Sequence, residues 1–416
     1  MTSTLGRGTD LPDPVEAGTG DYRRISLALF LAGVATFGLL YDTQAVLPQL
    51  GADLALSPTQ ASLSVSVATG ALALAVLPLA TLSEAVGRRR TMLLALGVAA
   101  VVGVLLPLAP SFGTLLGMRA VQGVALAGLP ATAMAYLGEE MSARALGGAM
   151  GLYIAGNSIG GMTGRLVSGL VADVSTWRVG LAANAAVAVV CTVAIVVLLP
   201  ASRRFRPQPL RLRPLLGGVG AALADPALRW MYAVAALLMG TFVGVYNYLG
   251  FRLTDEPFDV APALVALLFL AYAVGSLTAP LAGRMTVRLG RPAVLAGWIV
   301  VTLLGVLLML VAALPAVLVG LVLMTGGFFA AHATASGWVA ARAQGRARAQ
   351  ASGLYLCAYY AGSSVGGWAV GVPFTDHGWT ALTVVVLGFL VLALACVGAA
   401  ARLVRPRPVR DWAGAP

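Results

Sequence analysis

Apolar runs of about twenty residues, separated by short polar breaks, recur along the whole chain. Each run is long enough to cross a hydrocarbon core of about 30 Å as a helix. The runs are continuous, whereas the strands of a membrane barrel would alternate, so the pattern predicts helices. Twelve are predicted, at 25–47, 59–82, 91–107, 112–137, 145–171, 179–199, 228–251, 262–281, 293–312, 316–340, 351–372 and 381–400. Pro48 and an acidic segment are expected to close the first of them.

Between the sixth and seventh runs the pattern breaks. The segment SRRFRPQPLRLRP, 202–214, is basic and proline-rich and cannot span. It divides the chain into a tail (1–24), a first bundle (25–201), a linker (202–227), a second bundle (228–403) and a second tail (404–416). The polar start, with Pro12 and Pro14, is expected to be a disordered tail. It lacks the short apolar core and small-residue cleavage site of a signal peptide. Short motifs recur across the linker. GLY at 151–153 returns at 353–355 and ATA at 131–133 at 333–335, each 202 residues on. Gly87-Arg88 returns as Gly290-Arg291 after 203, and Gly160-Gly161 as Gly366-Gly367 after 206. Four matches in register predict two parallel six-helix repeats.

Composition narrows the class. A soluble protein would carry about 25% charged residues. This chain of 416 residues carries 10%, with 59% hydrophobic. The fold class is therefore all-α membrane protein. All 27 basic residues are arginine, and the net charge is +11. No arginine patch has interleaved aromatics, so no nucleic-acid partner is expected. Instead, 23 of the 27 lie in alternate loops and in the tails. The opposite loops hold Arg178 and Arg252 among Asp53, Asp173, Asp255, Glu256, Asp259 and Asp376. The positive-inside rule then puts both termini in the cytoplasm, as an even number of spans requires. The three cysteines lie singly in apolar runs, there are two histidines, and no CxxC or HExxH occurs. Neither a metal site, a disulfide framework nor an enzyme is indicated.

Polar residues inside the apolar runs are the candidates for chemistry. An arginine deep in a span costs about 2.5–3.5 kcal/mol on insertion scales, so it seeks a cavity or a partner. Arg119 in the fourth run and Asp42 near the outer end of the first lie at comparable depth. They form the candidate ion pair, as a proton-exchanging pair or as a structural clamp between two helices. Gly156, Gly160 and Gly164 are four apart and share one helix face, which lets another backbone approach closely. Arg165, at the outer end of that helix, either joins Asp42 and Arg119 or snorkels to the interface. His332 lies mid-membrane, where it could shuttle a proton or be held by a neighbour. Gln44, Gln122, Asn157, Asn247, Tyr359 and Tyr360 are candidates to line a substrate cavity. Tyr246 and Tyr248, nearer the outer end of their run, are equally placed to anchor it at the interface.

Three segments resemble a known family. ATLSEAVGRR, 80–89, resembles the GxLADRxGR loop signature of the major facilitator superfamily. Ala80 replaces the first glycine, Glu84 is the acid, and Ala85 replaces the internal arginine. The second-half copy GRMTVRLGR, 283–291, keeps Arg288 but has Val287 at the acid position. RAVQG, 119–123, matches the RxxQG of the proton-coupled branch. GNSIGGMTGR, 156–165, resembles the antiporter signature GxxxGPxxGG, with Gly161 for the proline and Arg165 for the last glycine. The resemblance covers 25–403 and points to twelve-span drug–proton antiporter and sugar-efflux permeases of the bacterial inner membrane. It implies proton-driven efflux of a small organic molecule by alternating access, with import by symport or facilitation as the alternative. Asp42, Arg119, Arg165 and His332 would couple protons. Glu84, Gly87, Arg88 and Arg89 would form a cytoplasmic gate, the acid drawn to the positive N-terminus of the eleventh helix. The proton gradient would be the energy source, with no cofactor. The expected partners are the substrate, protons and the bilayer, and the chain is expected to be a monomer.

Overall fold

The computed structural model describes residues 12–208, 212–343 and 347–403. The outer parts of both tails and linker residues 209–211, with Arg7, Arg211, Arg346, Arg405, Arg407 and Arg410, lie outside the described residues. Within them the chain is helical, apart from one isolated bridge between Val15 and Met141. The first half comprises α1 (Gly20–Tyr41), α2 (Leu47–Asp53), α3 (Pro58–Val86), α4 (Arg88–Leu105), α5 (Phe112–Leu126), α6 (Pro130–Glu140), α7 (Ala143–Asp173) and α8 (Trp177–Leu198). A linker helix, α9 (Leu212–Ala224), follows. The second half comprises α10 (Pro226–Thr254), α11 (Pro262–Leu267), α12 (Ala273–Leu289), α13 (Arg291–Leu308), α14 (Leu314–Arg342), α15 (Ala347–Ala361), α16 (Gly367–Ala369) and α17 (Gly371–Leu403).

Local sequence explains where these helices begin. Ser57 closes a capping box with Gln60, and Ser111, Ser142, Thr176 and Asp225 each accept a backbone N–H of the first turn. Gly87, at φ +110°, turns α3 into α4, and Gly290, at φ +77°, turns α12 into α13. Only glycine adopts those angles without strain. Both following helices are 18 residues long and start with arginine.

Burial is inverted relative to a water-soluble protein. Leu74, Leu94, Val101, Val190, Val197, Leu277 and Val384 are exposed, while Asp42, Arg119, Gln122, Arg165, Asn184 and Asn247 are buried. Such a surface suits lipid, not water. Among the described residues, ten helices are long and apolar enough to cross a membrane. Two predicted runs are not among the ten. Glycine, Asn157 and two arginines dilute α7, and the eleventh run is divided into α15, a π-helical turn at Gly362–Gly366, and α16.

Other predicted runs are also interrupted. A 3-10 turn, Asp42–Val46, separates α1 from α2, and another, Leu268–Tyr272, separates α11 from α12. The fourth run breaks between α5 and α6, just before Pro130. Irregular backbone at membrane depth is tolerated only where protein or a cavity satisfies it. Pro48 does not close the first run as expected. It falls in the first turn of α2, where its missing N–H costs nothing, and the helix continues to Asp53. Gly378, at φ +74°, breaks α17 into two helical pieces, so the stretch from Gly371 prolongs the eleventh run and the last helix follows Gly378, close to the expected 381.

Two close crossings hold the centre. On α7, a Cβ at Gly156, Gly160 or Gly164 would strike the α1 backbone at Phe30, Val34 and Gly38 in turn. In the second half Gly362 meets the α10 backbone at Ala236, Gly366 meets Gly240, and Gly244 meets Val370. All three contacts are repeated with both partners moved 206 residues along the chain.

Candidate functional site

The α1 helix loses its regular hydrogen bonding at Tyr41, toward the outer end of the first run, and Arg119 takes up the carbonyls freed there. Its Nη1 donates to Leu39 O at 2.8 Å, its Nη2 to Leu40 O, and its Nε to Ser64 O of α3 at 2.8 Å. Nη1 also reaches Gln122 Oε1 at 2.6 Å and Asp42 Oδ1 at 3.2 Å. The other carboxylate oxygen of Asp42 accepts from Asn184 Nδ2 of α8 at 3.4 Å. Arg119 is fully buried and Asp42 nearly so. Arg119 thus ties α1, α3 and α5 together whether or not Asp42 is charged. Protonating Asp42 removes one acceptor from a guanidinium that keeps four others.

Arg165 does not join this pair. Its Nε donates to Gln44 Oε1 at 2.6 Å and its Nη1 to the carbonyl of Gly161. Gln44 Nε2 in turn donates to Asn247 Oδ1 of α10 at 2.6 Å, so a buried polar chain crosses from one half to the other. The guanidinium lies 4.4 Å from the Tyr41 ring, 4.8 Å from Tyr272 and 5.1 Å from Phe269. It does not snorkel. Tyr246 and Tyr248 are buried too, so they are not interface anchors. Tyr246 pairs with Thr325 at 2.8 Å, and Tyr248 donates to Ser62 of the first half at 2.8 Å.

The second half supplies an aromatic wall. Phe242 stacks on Phe328 at 3.8 Å, and rings continue through Tyr246, Phe269, Tyr272 and Phe329. His332 sits at the wall's other end, 4.6 Å from the Tyr359 ring, with Nδ1 3.0 Å from the Tyr355 hydroxyl. Tyr359 packs edge-on against Tyr360. His332 is remote from the described contacts of Asp42 and Arg119. Gln122 serves Arg119 and the Ala99 carbonyl. Asn157 lies against Gly33 of α1.

Glu84, Gly87, Arg88 and Arg89 fasten the turn between α3 and α4 within the first half. Arg88 reaches Glu139 of α6 at 2.9 Å and Ser83 Oγ at 2.5 Å, with Glu84 at 3.9 Å. Arg89 donates to the carbonyls of Leu199 and Val196. The segment leading into α15, where the gate partner would lie, falls partly outside the described residues. At the same end of the second half, Arg342 Nε holds Asp225 Oδ2 at 2.7 Å. Partial burial pushes the Asp225 carboxyl up. The Arg342 and Ala227 N–H bonds outweigh that and hold it below the usual carboxylate range.

The halves meet along the length of α3, which packs against α15, α16 and α17 from the basic end to the opposite, acid-rich end. Thr59 meets Thr375 at 2.7 Å, and Ala263 N–H donates to Asp173 at 3.1 Å. A small cavity beside Gln44 is walled by Tyr246, Gly250, Val265 and Phe269. At the basic end, Leu77 of α3 lies against Gly353 of α15. Reading the sequence missed Asn184, Tyr41, Tyr272 and Tyr355. Asn184 carried a signal, being a lone amide within an apolar run. The others look like any tyrosine in a membrane helix.

A helical bundle that is apolar outside, with buried charges and a polar chain joining its two halves, defines a membrane transporter. The model of the Major Facilitator Superfamily matches residues 25–256, and the chain belongs to that superfamily. It is 42% identical over 380 residues to the inner membrane transport protein YnfM of Escherichia coli (strain K12), covering 91% of each chain. It is 38% identical over 400 residues to the uncharacterized MFS-type transporter YybF of Bacillus subtilis (strain 168), covering 96% of this chain and 99% of the relative. Among solved structures, a bacterial homolog to the human lysosomal transporter Spinster, inward-facing and occupied, superposes with a TM-score of 0.76. That match has 18% identity and covers 94% of this chain and 100% of the other. Peptide transporter POT in complex with sulfate gives 0.75 at 14% identity, covering 91% and 95%. At these identities the likeness is one of fold. The chain is a secondary transporter of the bacterial inner membrane, not an enzyme, and its substrate is a small molecule.

Proposed function

We propose that the chain exports a small organic molecule in exchange for protons, by alternating access. It would have twelve spans in two parallel six-helix repeats and both termini in the cytoplasm. The arginine bias of the loops supports that orientation. The crossing repeated 206 residues along supports the two-fold build. The observation that carries the coupling is the setting of Asp42. It is the one buried carboxylate at membrane depth among the described residues, held by Arg119 and Asn184. It can take a proton without orphaning either partner, because Arg119 retains the carbonyls of Leu39, Leu40 and Ser64 and Asn184 retains that of Gly38. Gln44, two residues on, belongs to the polar chain that links the halves. A change at Asp42 therefore reaches the surface between them through one 3-10 turn.

Flux into inside-out proteoliposomes tests this. An acid lumen should drive substrate accumulation in wild type. Asp42→Asn should lose at least tenfold of the gradient-driven component while keeping gradient-free counterflow. Proton-dependent flux left intact in Asp42→Asn would remove the coupling assignment. Accumulation under the opposite gradient would mark a symporter.

A further inference from the structure

The membrane interior holds a cation with no acid of its own. Of the two arginines buried within the membrane-spanning helices, Arg119 has Asp42, while Arg165 makes no ion pair among the described residues. Its contacts are Gln44, the Gly161 carbonyl, the hydroxyl end of Tyr272, and the faces of Tyr41 and Phe269. Beside it, the hydroxyls of Tyr41 (first half) and Ser363 (second half) are turned toward each other. Both are buried, and besides each other neither has a hydrogen-bond partner among the described residues. The interface between the halves therefore places positive charge and two buried hydroxyls among rings. What it lacks is an acceptor of matching charge.

A guanidinium in low dielectric without a carboxylate is costly, and its planar fork fits carboxylate and related oxyanions. Rings stacked beside the fork favour an aromatic or apolar body. A cationic cargo would meet Arg165 as a like charge. We propose that Arg165 docks the negatively charged group of the cargo, with the Tyr41 and Ser363 hydroxyls as further donors, and that the substrate is an organic anion. This rests on the transporter reading above and names its substrate class. Arg119 cannot take the same role, because three carbonyls, Gln122 and Asp42 already occupy it.

The test is a binding panel on the purified full-length chain in detergent. Arene carboxylates such as benzoate and phenylacetate are compared with their shape-matched neutral amides and with benzylamine. Thermal stabilisation and titration are the readouts. Carboxylates should bind at least tenfold more tightly than their amides. Arg165→Gln should erase that difference, and Arg165→Lys should keep part of it. The proposal is overturned if no carboxylate binds, if the amides or the amine bind as well, or if Arg165→Gln keeps the preference. Should Arg165→Gln fail to fold, the wild-type comparison and Arg165→Lys still decide. Binding of carboxylates by a chain that shows no flux would sink the transport reading and leave the arginine assignment standing. Flux of amines or amides with no preference for carboxylates would do the reverse.

Discussion

The two central helix crossings share a backbone and differ in everything attached to it. Where α7 crosses α1, glycines touch main chain at Phe30, Val34 and Gly38; where the Gly362–Gly366 turn and Val370 cross α10, the same contacts recur. Around the first crossing lie Asp42, Arg119, Arg165 and Asn184. Around the second lie Phe242, Tyr246, Phe328 and Tyr360, where Tyr246 pairs its hydroxyl with Thr325. Close approach in a membrane depends on small residues and dispersion contacts, so both copies need the glycines. A charge at that depth needs its own acceptors, and among the described residues both buried arginines and their acceptors lie beside the first crossing. The scaffold is therefore double and the ionic chemistry single.

The largest effect should come from emptying the shell around Arg119. Arg119→Ala strips three carbonyls and leaves the Asp42 carboxylate buried and unpaired, which costs about 3–5 kcal/mol. The melting temperature in detergent should collapse. Tyr246→Phe removes one hydroxyl pair and should cost only about 1 kcal/mol. Equal losses would mean that the two sides are not energetically distinct. The crossings themselves should behave alike. Gly160→Leu and Gly366→Leu each force a side chain against backbone, an overpacking of about 1–3 kcal/mol. A large loss at one position with none at the other would break the structural equivalence and leave only a resemblance of sequence.

Much of this was legible beforehand, for identifiable reasons. Helix length follows bilayer thickness, so the runs stood out. The four-residue spacing of Gly156, Gly160 and Gly164 named its own face, because spacing alone decides which residues align on a helix. Pairing Asp42 with Arg119 needed only depth along each run. The fate of Arg165 was not readable, since the choice between lipid interface and a packed aromatic setting depends on helix rotation and on a partner half about a hundred residues distant. The carbonyls that Arg119 holds were hidden for another reason. They are backbone groups of leucine and serine, released by a helix break that apolar periodicity does not record. Pro48 misled because proline ends a helix in mid-run but fits the first turn of a new one.

The smallest effects lie at the basic end, where each half has its own clasp: Arg88 with Glu139 in the first, and Arg342 with Asp225 in the second. Both are partly exposed, so each contributes about 0.5–1 kcal/mol at most after solvent screening. Asp225 permits a test by sign. It also caps α10 by accepting the Ala227 N–H at 2.9 Å, and Asn keeps that cap, so Asp225→Asn removes charge alone. Arg342 lowers the folded carboxyl below its unfolded value of about 3.9. A depressed acid contributes stability above its unfolded value and loses it as pH falls through the folded one. The gap in melting temperature between wild type and Asp225→Asn should therefore be full at pH 7, begin to close near pH 4 and vanish below the folded value. A gap that widens on acidification would mean that burial, not Arg342, governs this carboxyl. The second half would then lack even the clasp that makes its basic end comparable to the first.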